Sequence, residues 1–84
     1  MADAASWYEA QRSGLGTEFL DQVQAAFGRI SESPNVYPEV GRSARRALVR
    51  RFPFGVFYRV ESATVVVFAV MHGSRDPQRW KQRS

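Results

Sequence analysis

The second half of the chain contains three stretches that have the composition and periodicity of β-strands. Residues 44–51 and 56–61 each alternate between two faces, and residues 64–72 are nearly all apolar and rich in valine. A Phe-Pro-Phe-Gly segment at 52–55 and a Ser-Ala pair at 62–63 separate these stretches and predict short turns. We therefore expect three antiparallel strands, with the apolar third strand at the centre of the sheet and covered on both faces.

The first half of the chain has the pattern of two helices. Residues 2–13 are rich in helix formers, and a Gly-Leu-Gly segment at 14–16 then interrupts the pattern. A second helix is predicted by an apolar stripe with spacings of three and four, through Phe19, Leu20, Val23, Phe27 and Ile30. Because the break is short, the two helices are expected to pack as an antiparallel αα-hairpin.

Runs of helix followed by runs of strand predict an α+β fold. The expected architecture is an N-terminal αα-hairpin packed on a three-stranded antiparallel sheet, with a short C-terminal helical turn over residues 77–83. Residues 35–43, which contain a proline and a glycine, are expected to form a loop. At 84 residues the chain is expected to form one domain, residues 1–84. The aromatic residues expected in its core are Trp7, Tyr8, Phe19, Phe27 and Phe68.

The composition excludes several classes of protein. With no cysteine and one histidine, the chain cannot form disulfides and lacks the usual ligands of a structural zinc site. Its first residues lack the basic start and apolar run of a signal peptide, and no apolar stretch approaches the roughly 20 residues that span a bilayer. We therefore expect a cytoplasmic protein with no metal, no cofactor and no membrane partner.

Positive charge is concentrated in the strand-forming half. Residues 42–84 carry ten lysines and arginines against two acids, a net charge of +8, and residues 1–41 have a net charge of −4. Arginine is favoured where a carboxylate or phosphate is bound through a planar fork. The alternative for the clustered arginines is a solvated strand face that discourages edge pairing. We favour binding of an anionic partner, through Arg45, Arg46, Arg50, Arg51 and Arg75. Arg59 is a further candidate, with an ion pair to Glu61 as the alternative. Trp80 is a candidate interface residue, although its favoured role is to anchor the C-terminal turn on the core.

His72 ends the apolar stretch and has two interpretations. Histidine titrates near neutral pH, which makes His72 a candidate general acid or base. A lone histidine at a strand end more often hydrogen-bonds nearby backbone groups, and we favour that interpretation.

Three motifs follow one another along the chain: WYE-x-Q-x-x-GLG-x-x-FL, NVYPEVGRSARRALVRRFPFGVFYRV and VVVFAVMHGSRDP-x-x-W. Their order and spacing resemble the ParE branch of the RelE/ParE toxin superfamily, the small toxins of type II toxin–antitoxin modules. The resemblance runs from Trp7 to about Trp80. The family usually opens with a β-strand before its first helix, whereas this chain begins within the region that matches that helix. One edge of the sheet is therefore expected to lack its usual partner strand.

The resemblance implies two alternative activities. ParE-like members are understood to inhibit DNA gyrase, and RelE-like members cut messenger RNA in the ribosomal A site with basic residues and often a C-terminal tyrosine. In this chain Leu48 and Gly55 occupy two of the basic positions, and Trp80 or Lys81 falls where the tyrosine is expected. Arginine is also a poor general base, because it keeps its proton near neutral pH. The residues left for a ribonuclease are Arg46, Arg59, His72 and Arg75.

The resemblance thus favours a growth-inhibiting ParE-like toxin that acts on gyrase, belongs to a plasmid-stabilising module and is not an enzyme. Its expected first partner is a cognate antitoxin, with which it oligomerises and whose partly disordered tail folds along the sheet and the helical hairpin. The alternatives are a RelE-like endoribonuclease that acts on the ribosome, and a decayed, non-toxic module that only binds antitoxin.

Overall fold

The computed structural model describes residues 2–73. Two helices are followed by four strands: α1 (Ala2–Gln11), α2 (Leu15–Glu32), β1 (Glu39–Gly41), β2 (Ala44–Leu48), β3 (Phe54–Glu61) and β4 (Thr64–His72). This order confirms the predicted α+β class, with one strand more than expected. The predicted C-terminal helical turn lies outside the described residues. No helix within residues 2–73 is both long enough and apolar enough to cross a membrane.

The glycines of the predicted break join the two helices. Gly14 has a φ of 90°, in the left-handed region that favours glycine. Gly16 is buried where the helices approach closely, and a Cβ atom there would lie 2.6 Å from the carbonyl oxygen of Ala5. The Glu9 carboxylate accepts hydrogen bonds from the backbone N–H groups of Gly14 and Gly16, both at 2.9 Å. These two bonds lower the pKa of Glu9 and fix the turn.

The helical hairpin covers one face of the sheet, which is named the inner face. Phe19 is fully buried at the centre of the contact, and its ring packs against those of Tyr8, Phe52 and Phe54 at centroid distances of 5.2, 5.2 and 4.9 Å. The core joins residues of α2, at the predicted helical spacing, to residues of β2, β3 and the segment between them: Phe19, Val23, Ala26, Ile30, Ala47, Val49, Val56 and Tyr58.

Two of the predicted core aromatics are exposed instead, Trp7 by 60% and Phe68 by 49%. Trp7 precedes Tyr8 on α1, and consecutive helical positions face different directions, so only Tyr8 packs against the core. Phe68 is the extra residue of a β-bulge in β4, between the residues that pair with Phe57 and Tyr58. A bulge of this kind leaves no trace in the composition of the strand.

The sheet is antiparallel, with the strand order β1-β2-β3-β4. The three-residue β1 lies in the segment predicted to be a loop, where it pairs Glu39 with Arg45 at the start of β2. The turn between these strands is formed by Arg42 and Ser43, both with positive φ. A strand this short has no alternation for sequence analysis to detect.

The prediction that the apolar third stretch forms the central strand is wrong. β4 lies at an edge of the sheet, and within residues 2–73 it pairs with β3 alone. The most buried strand is β3, in which residues 55–58 are all buried. The expected cover on both faces of β4 is wrong as well, since none of its nine residues is buried and Val67 and Phe68 are 40% and 49% exposed. Apolar composition alone reveals neither how a strand is covered nor whether both of its edges are paired.

Candidate partner-binding surface

The face of the sheet opposite the helices, named the outer face, carries a groove across β2, β3 and β4. Leu48, Gly55 and Met71 lie directly opposite one another in these strands. The groove has a volume of about 250 Å³, and its lining also includes Arg46 and Phe57. An arginine is therefore placed among apolar side chains.

Gly55 leaves the space in which the Arg46 side chain lies. A Cβ atom at position 55 would be 3.1 Å from Cγ and 3.2 Å from Cδ of Arg46, and 3.5 Å from the ring of Phe57. The Arg46 Nε atom is buried, and Phe57 is only 3% exposed. The aliphatic part of Arg46 thus packs against Gly55 beside the buried Phe57 ring, and the Arg46 side chain forms part of the groove lining.

A second groove, of about 350 Å³, shares two lining residues with the first. Arg46 and Leu48 line both grooves, and Arg29, Tyr37 and Arg50 are among the further residues of the second. The Arg29 guanidinium donates a 3.0 Å hydrogen bond to the carbonyl oxygen of Leu48, which holds it beside β2. The two grooves together are named the outer groove, and its main lining residues are Arg29, Arg46, Leu48, Arg50, Phe57 and Met71.

The Arg45 side chain lies on the opposite face of β2 from that of its neighbour Arg46, because successive side chains of a strand point to opposite faces. Its guanidinium donates hydrogen bonds to the carbonyl oxygens of Tyr37 at 2.6 Å and Asn35 at 3.2 Å. It also lies 3.4 Å from the Glu39 carboxylate. These contacts hold the loop between α2 and β1, so Arg45, a predicted partner-binding residue, is occupied by the fold.

The other two arginines of the cluster also separate. Arg50 is exposed and lines the outer groove. Arg51 points towards the helices, where its guanidinium lies 3.9 Å from the Glu18 carboxylate of α2. Of the four clustered arginines, Arg46 and Arg50 therefore line the outer groove, whereas Arg45 and Arg51 contact other parts of the fold.

The remaining predicted residues lie away from the outer groove or outside the described part of the chain. Arg59 forms an exposed 2.6 Å ion pair with Glu61, and its guanidinium lies 5.6 Å from the centre of the Phe68 ring. Arg75 and Trp80 lie outside the described residues, so their roles stay predictions.

His72 lies in a separate pocket, between α1 and the sheet. Its ring meets that of Phe54 in a T-shaped contact at 5.3 Å. The pocket has a volume of about 400 Å³ and is lined mainly by apolar and aromatic side chains, including Trp7 and Tyr8. Burial raises the pKa of the Tyr8 hydroxyl. These surroundings resemble a partly open extension of the core more than a site for proton transfer.

The described residues of the ribonuclease set do not meet at one site. His72 is paired with Phe54 on β3, and Arg59 lies five residues further along that strand, a distance of about 17 Å. Arg46 lines the outer groove, whereas the His72 ring contacts the ring of Phe54. Residues 2–73 also contain no group of three or more His, Cys, Asp or Glu side chains that could hold a metal ion.

The apolar lining of the outer groove was missed by the sequence analysis. Leu48 and Gly55 enter that analysis only as positions where basic residues are absent, and Phe57, Met71 and Arg29 have no role in it. The alternation of β2 does place Leu48 on the same face as Arg46. The contribution of β3 and β4 depends on strand register, which a single sequence does not specify.

Comparison with known families gives a match over most of the chain. A family model described as the ParE toxin of type II toxin-antitoxin system, parDE, matches residues 1–77. The chain belongs to the ParE toxin family. This ParE family member is therefore a toxin of a type II toxin–antitoxin system, and the family implies an antitoxin partner. No protein of curated function matches the chain.

Proposed function

We propose that this ParE family member inhibits growth by acting on DNA gyrase in the cytoplasm, and that a cognate antitoxin neutralises it by binding in the outer groove. The packing of Arg46 over Gly55 carries the antitoxin part of the proposal, because it places a cation beside the apolar side chains of the groove lining. Family membership supplies the class of partner.

The outer groove suits a partner segment that contains both apolar and acidic residues. The 62% exposed Leu48 and the half-buried Met71 can contact apolar anchors beside the buried ring of Phe57. Arg46 and Arg50 give this lining its positive charge, and the guanidinium of the exposed Arg50 can bind a carboxylate through two parallel hydrogen bonds. A disordered tail that folds on binding can follow such a groove, since it adapts its length and shape to the surface. The net charge of +8 over residues 42–84 adds long-range attraction for acidic segments.

The chemistry of the outer groove supports action through protein contacts rather than RNA cleavage. Cleavage by a 2′-hydroxyl requires a base and an acid within hydrogen-bond reach of the reacting atoms. Among residues 2–73, the lining of the outer groove includes neither a carboxylate nor a histidine. Its arginines hold their protons near neutral pH and can stabilise negative charge without acting as a base.

The proposed target is tested with the purified toxin and a gyrase supercoiling reaction. We expect the toxin to block supercoiling of relaxed plasmid in proportion to its concentration, and added antitoxin to restore it. Induced expression without antitoxin should arrest growth. Full supercoiling at excess toxin would contradict the gyrase target. Cleavage of ribosome-bound messages in primer extension would indicate the endoribonuclease instead, and unchanged growth would indicate a non-toxic module.

The proposed antitoxin site is tested with one substitution in the outer groove and a matched control. Leu48→Asp replaces an exposed anchor by a charge that repels acidic segments, and we expect the antitoxin Kd in calorimetry to rise at least about tenfold. Leu20→Asp makes the same change at a 42% exposed leucine on α2 and should leave Kd within about twofold. Equal weakening by both variants would show that the outer groove is not the binding site.

A further inference from the structure

The loop between α2 and β1 is tied to the sheet at four backbone carbonyl groups. The buried Tyr58 hydroxyl of β3 donates a 2.6 Å hydrogen bond to the carbonyl oxygen of Pro34. The backbone N–H of Arg46 in β2 donates a 3.2 Å bond to the carbonyl oxygen of Pro38. The Arg45 guanidinium holds two further carbonyl groups between these positions. A loop fixed at four points loses little conformational freedom when a partner binds to it.

This fixed loop presents an apolar side chain to solvent. Val36 is 72% exposed, more than any other large hydrophobic residue within residues 2–73. Its backbone N–H donates a 3.3 Å bond to the carbonyl oxygen of Ser33, which closes a turn within the loop. The next two residues, Tyr37 and Pro38, belong to the described lining of the outer groove, and Val36 does not. Burial of Val36 against a partner is favourable through its apolar area, and little of that gain is lost to ordering the backbone.

The charge around Val36 is opposite to that of the outer groove. Residues 30–41 contain two acids, Glu32 and Glu39, and no lysine or arginine. Both acids are exposed, and Glu39 is partly neutralised by Arg45 at 3.4 Å. The described lining of the outer groove contains three arginines and no acid. An acidic antitoxin segment that matches the groove therefore gains no attraction at Val36, and the loop suits a partner with basic residues.

We propose that Val36 and the two acids beside it contact the cellular protein on which this toxin acts, on a surface separate from the outer groove. The partner is a folded protein with an apolar pocket bordered by basic residues. A fixed loop suits such a partner, whereas a disordered tail adapts its own shape to a surface. This inference rests on the proposed growth inhibition, but it depends neither on gyrase as the target nor on the site of the antitoxin.

The first test separates growth arrest from antitoxin binding. Val36→Lys removes the apolar contact and places a cation against the basic border of the partner. We expect the cellular amount of toxin that halves the growth rate to rise at least about tenfold, with antitoxin Kd in calorimetry within about twofold of wild type. Val36→Ile keeps the apolar contact and should remain toxic. Leu20→Lys makes the same change at a 42% exposed leucine on α2 and should also remain toxic.

Circular dichroism of the purified variants verifies that each is folded, as the exposure of both positions leads us to expect. Full toxicity of folded Val36→Lys would overturn this inference and leave the proposed growth inhibition intact. Equal loss of toxicity in Leu20→Lys, or a matching loss of antitoxin affinity in Val36→Lys, would overturn it as well. A wild type that does not arrest growth would overturn both proposals.

The second test concerns the charge of the loop. Glu32→Lys reverses an exposed acid beside the loop, and Asp21→Lys makes the same change at an exposed acid nearer the start of α2. We expect the amount of toxin that halves the growth rate to rise at least about threefold in Glu32→Lys and to change by less than about 1.5-fold in Asp21→Lys. Equal toxicity of the two variants would overturn the charge complementarity on which the inference rests.

Discussion

Neighbouring residues of the same strands lie on the two faces of this sheet and have different roles. Those on the inner face form the core, and those on the outer face line the outer groove. On the inner face, Val56 and Tyr58 are fully buried beneath the helices. On the outer face, Leu48 is 62% exposed and Arg46 lies over Gly55. The face that a residue occupies, more than its type, decides its role, because the helices cover only one face. Substitutions on the inner face should therefore mainly lower stability, and substitutions on the outer face should mainly weaken antitoxin binding.

The largest expected difference between the faces is in the free energy of unfolding. Phe19→Ala removes a fully buried ring that packs against three other aromatic rings, and it should lower that free energy by about 3–5 kcal/mol. Leu48→Ala should cost less than about 1 kcal/mol, since its side chain is mostly in water. Urea unfolding of both variants measures the contrast. Similar costs for the two would contradict the assignment of Leu48 to an open surface.

Arginines provide a smaller contrast of the same kind. Arg45→Ala removes hydrogen bonds to the carbonyl oxygens of Asn35 and Tyr37, and it should lower the free energy of unfolding by about 2 kcal/mol. Arg59→Ala is the matched control, because its exposed ion pair with Glu61 should contribute less than about 0.5 kcal/mol. Thermal unfolding of the two variants separates them. A cost for Arg59→Ala equal to that of Arg45→Ala would remove the structural role given to Arg45.

The β3–β4 turn offers a gain in stability that should not alter either face. Ser62 and Ala63 have positive φ angles of 48° and 67°, a conformation that favours asparagine and glycine in two-residue hairpins. The double substitution Ser62→Asn and Ala63→Gly should raise the free energy of unfolding by about 1 kcal/mol. The melting temperature gives the gain, and antitoxin Kd should stay unchanged. A lower melting temperature would show that the positive φ angles at Ser62 and Ala63 do not reduce the stability of the wild type.

Acid should weaken the helical layer through Glu9. Its pKa is lowered in the folded state by the hydrogen bonds from Gly14 and Gly16, so the unfolded chain binds more protons as the pH falls. The stabilisation is present above the ordinary value of 4.5 and is lost as the pH falls through the lowered folded-state pKa. Unfolding of wild type and Glu9→Gln should therefore differ above pH 4.5 and converge in acid. A difference that grows in acid would contradict this sign.

Sequence analysis predicted the layers of the molecule better than its edges and its site. The stripe through Phe19, Val23 and Ile30 and the glycines at 14–16 specified the helical hairpin, because helix periodicity and turn chemistry are local. The position of β4 was predicted wrongly, since pairing partners depend on the whole fold. The three-residue β1 was too short to leave a pattern.

The candidate site was predicted in part for a similar reason. The density of arginines between residues 45 and 51 indicated an anionic partner, but it did not separate Arg46 from Arg45. That separation depends on which face the helices cover. The role of Gly55 required the distance from its position to the Arg46 side chain, which no pattern contains.

Arg46, held over Gly55, is proposed to bind the antitoxin, whereas adjacent Arg45 stabilises the fold. Calorimetric titration of the cognate antitoxin into Arg46→Ala and Arg45→Ala, at a temperature where both are folded, tests this contrast most directly. We predict that Arg46→Ala raises Kd at least about tenfold, which corresponds to about 1.4 kcal/mol, and that Arg45→Ala changes Kd by less than about twofold. A larger loss of affinity in Arg45→Ala than in Arg46→Ala would show that Arg46 is not the arginine that binds the antitoxin.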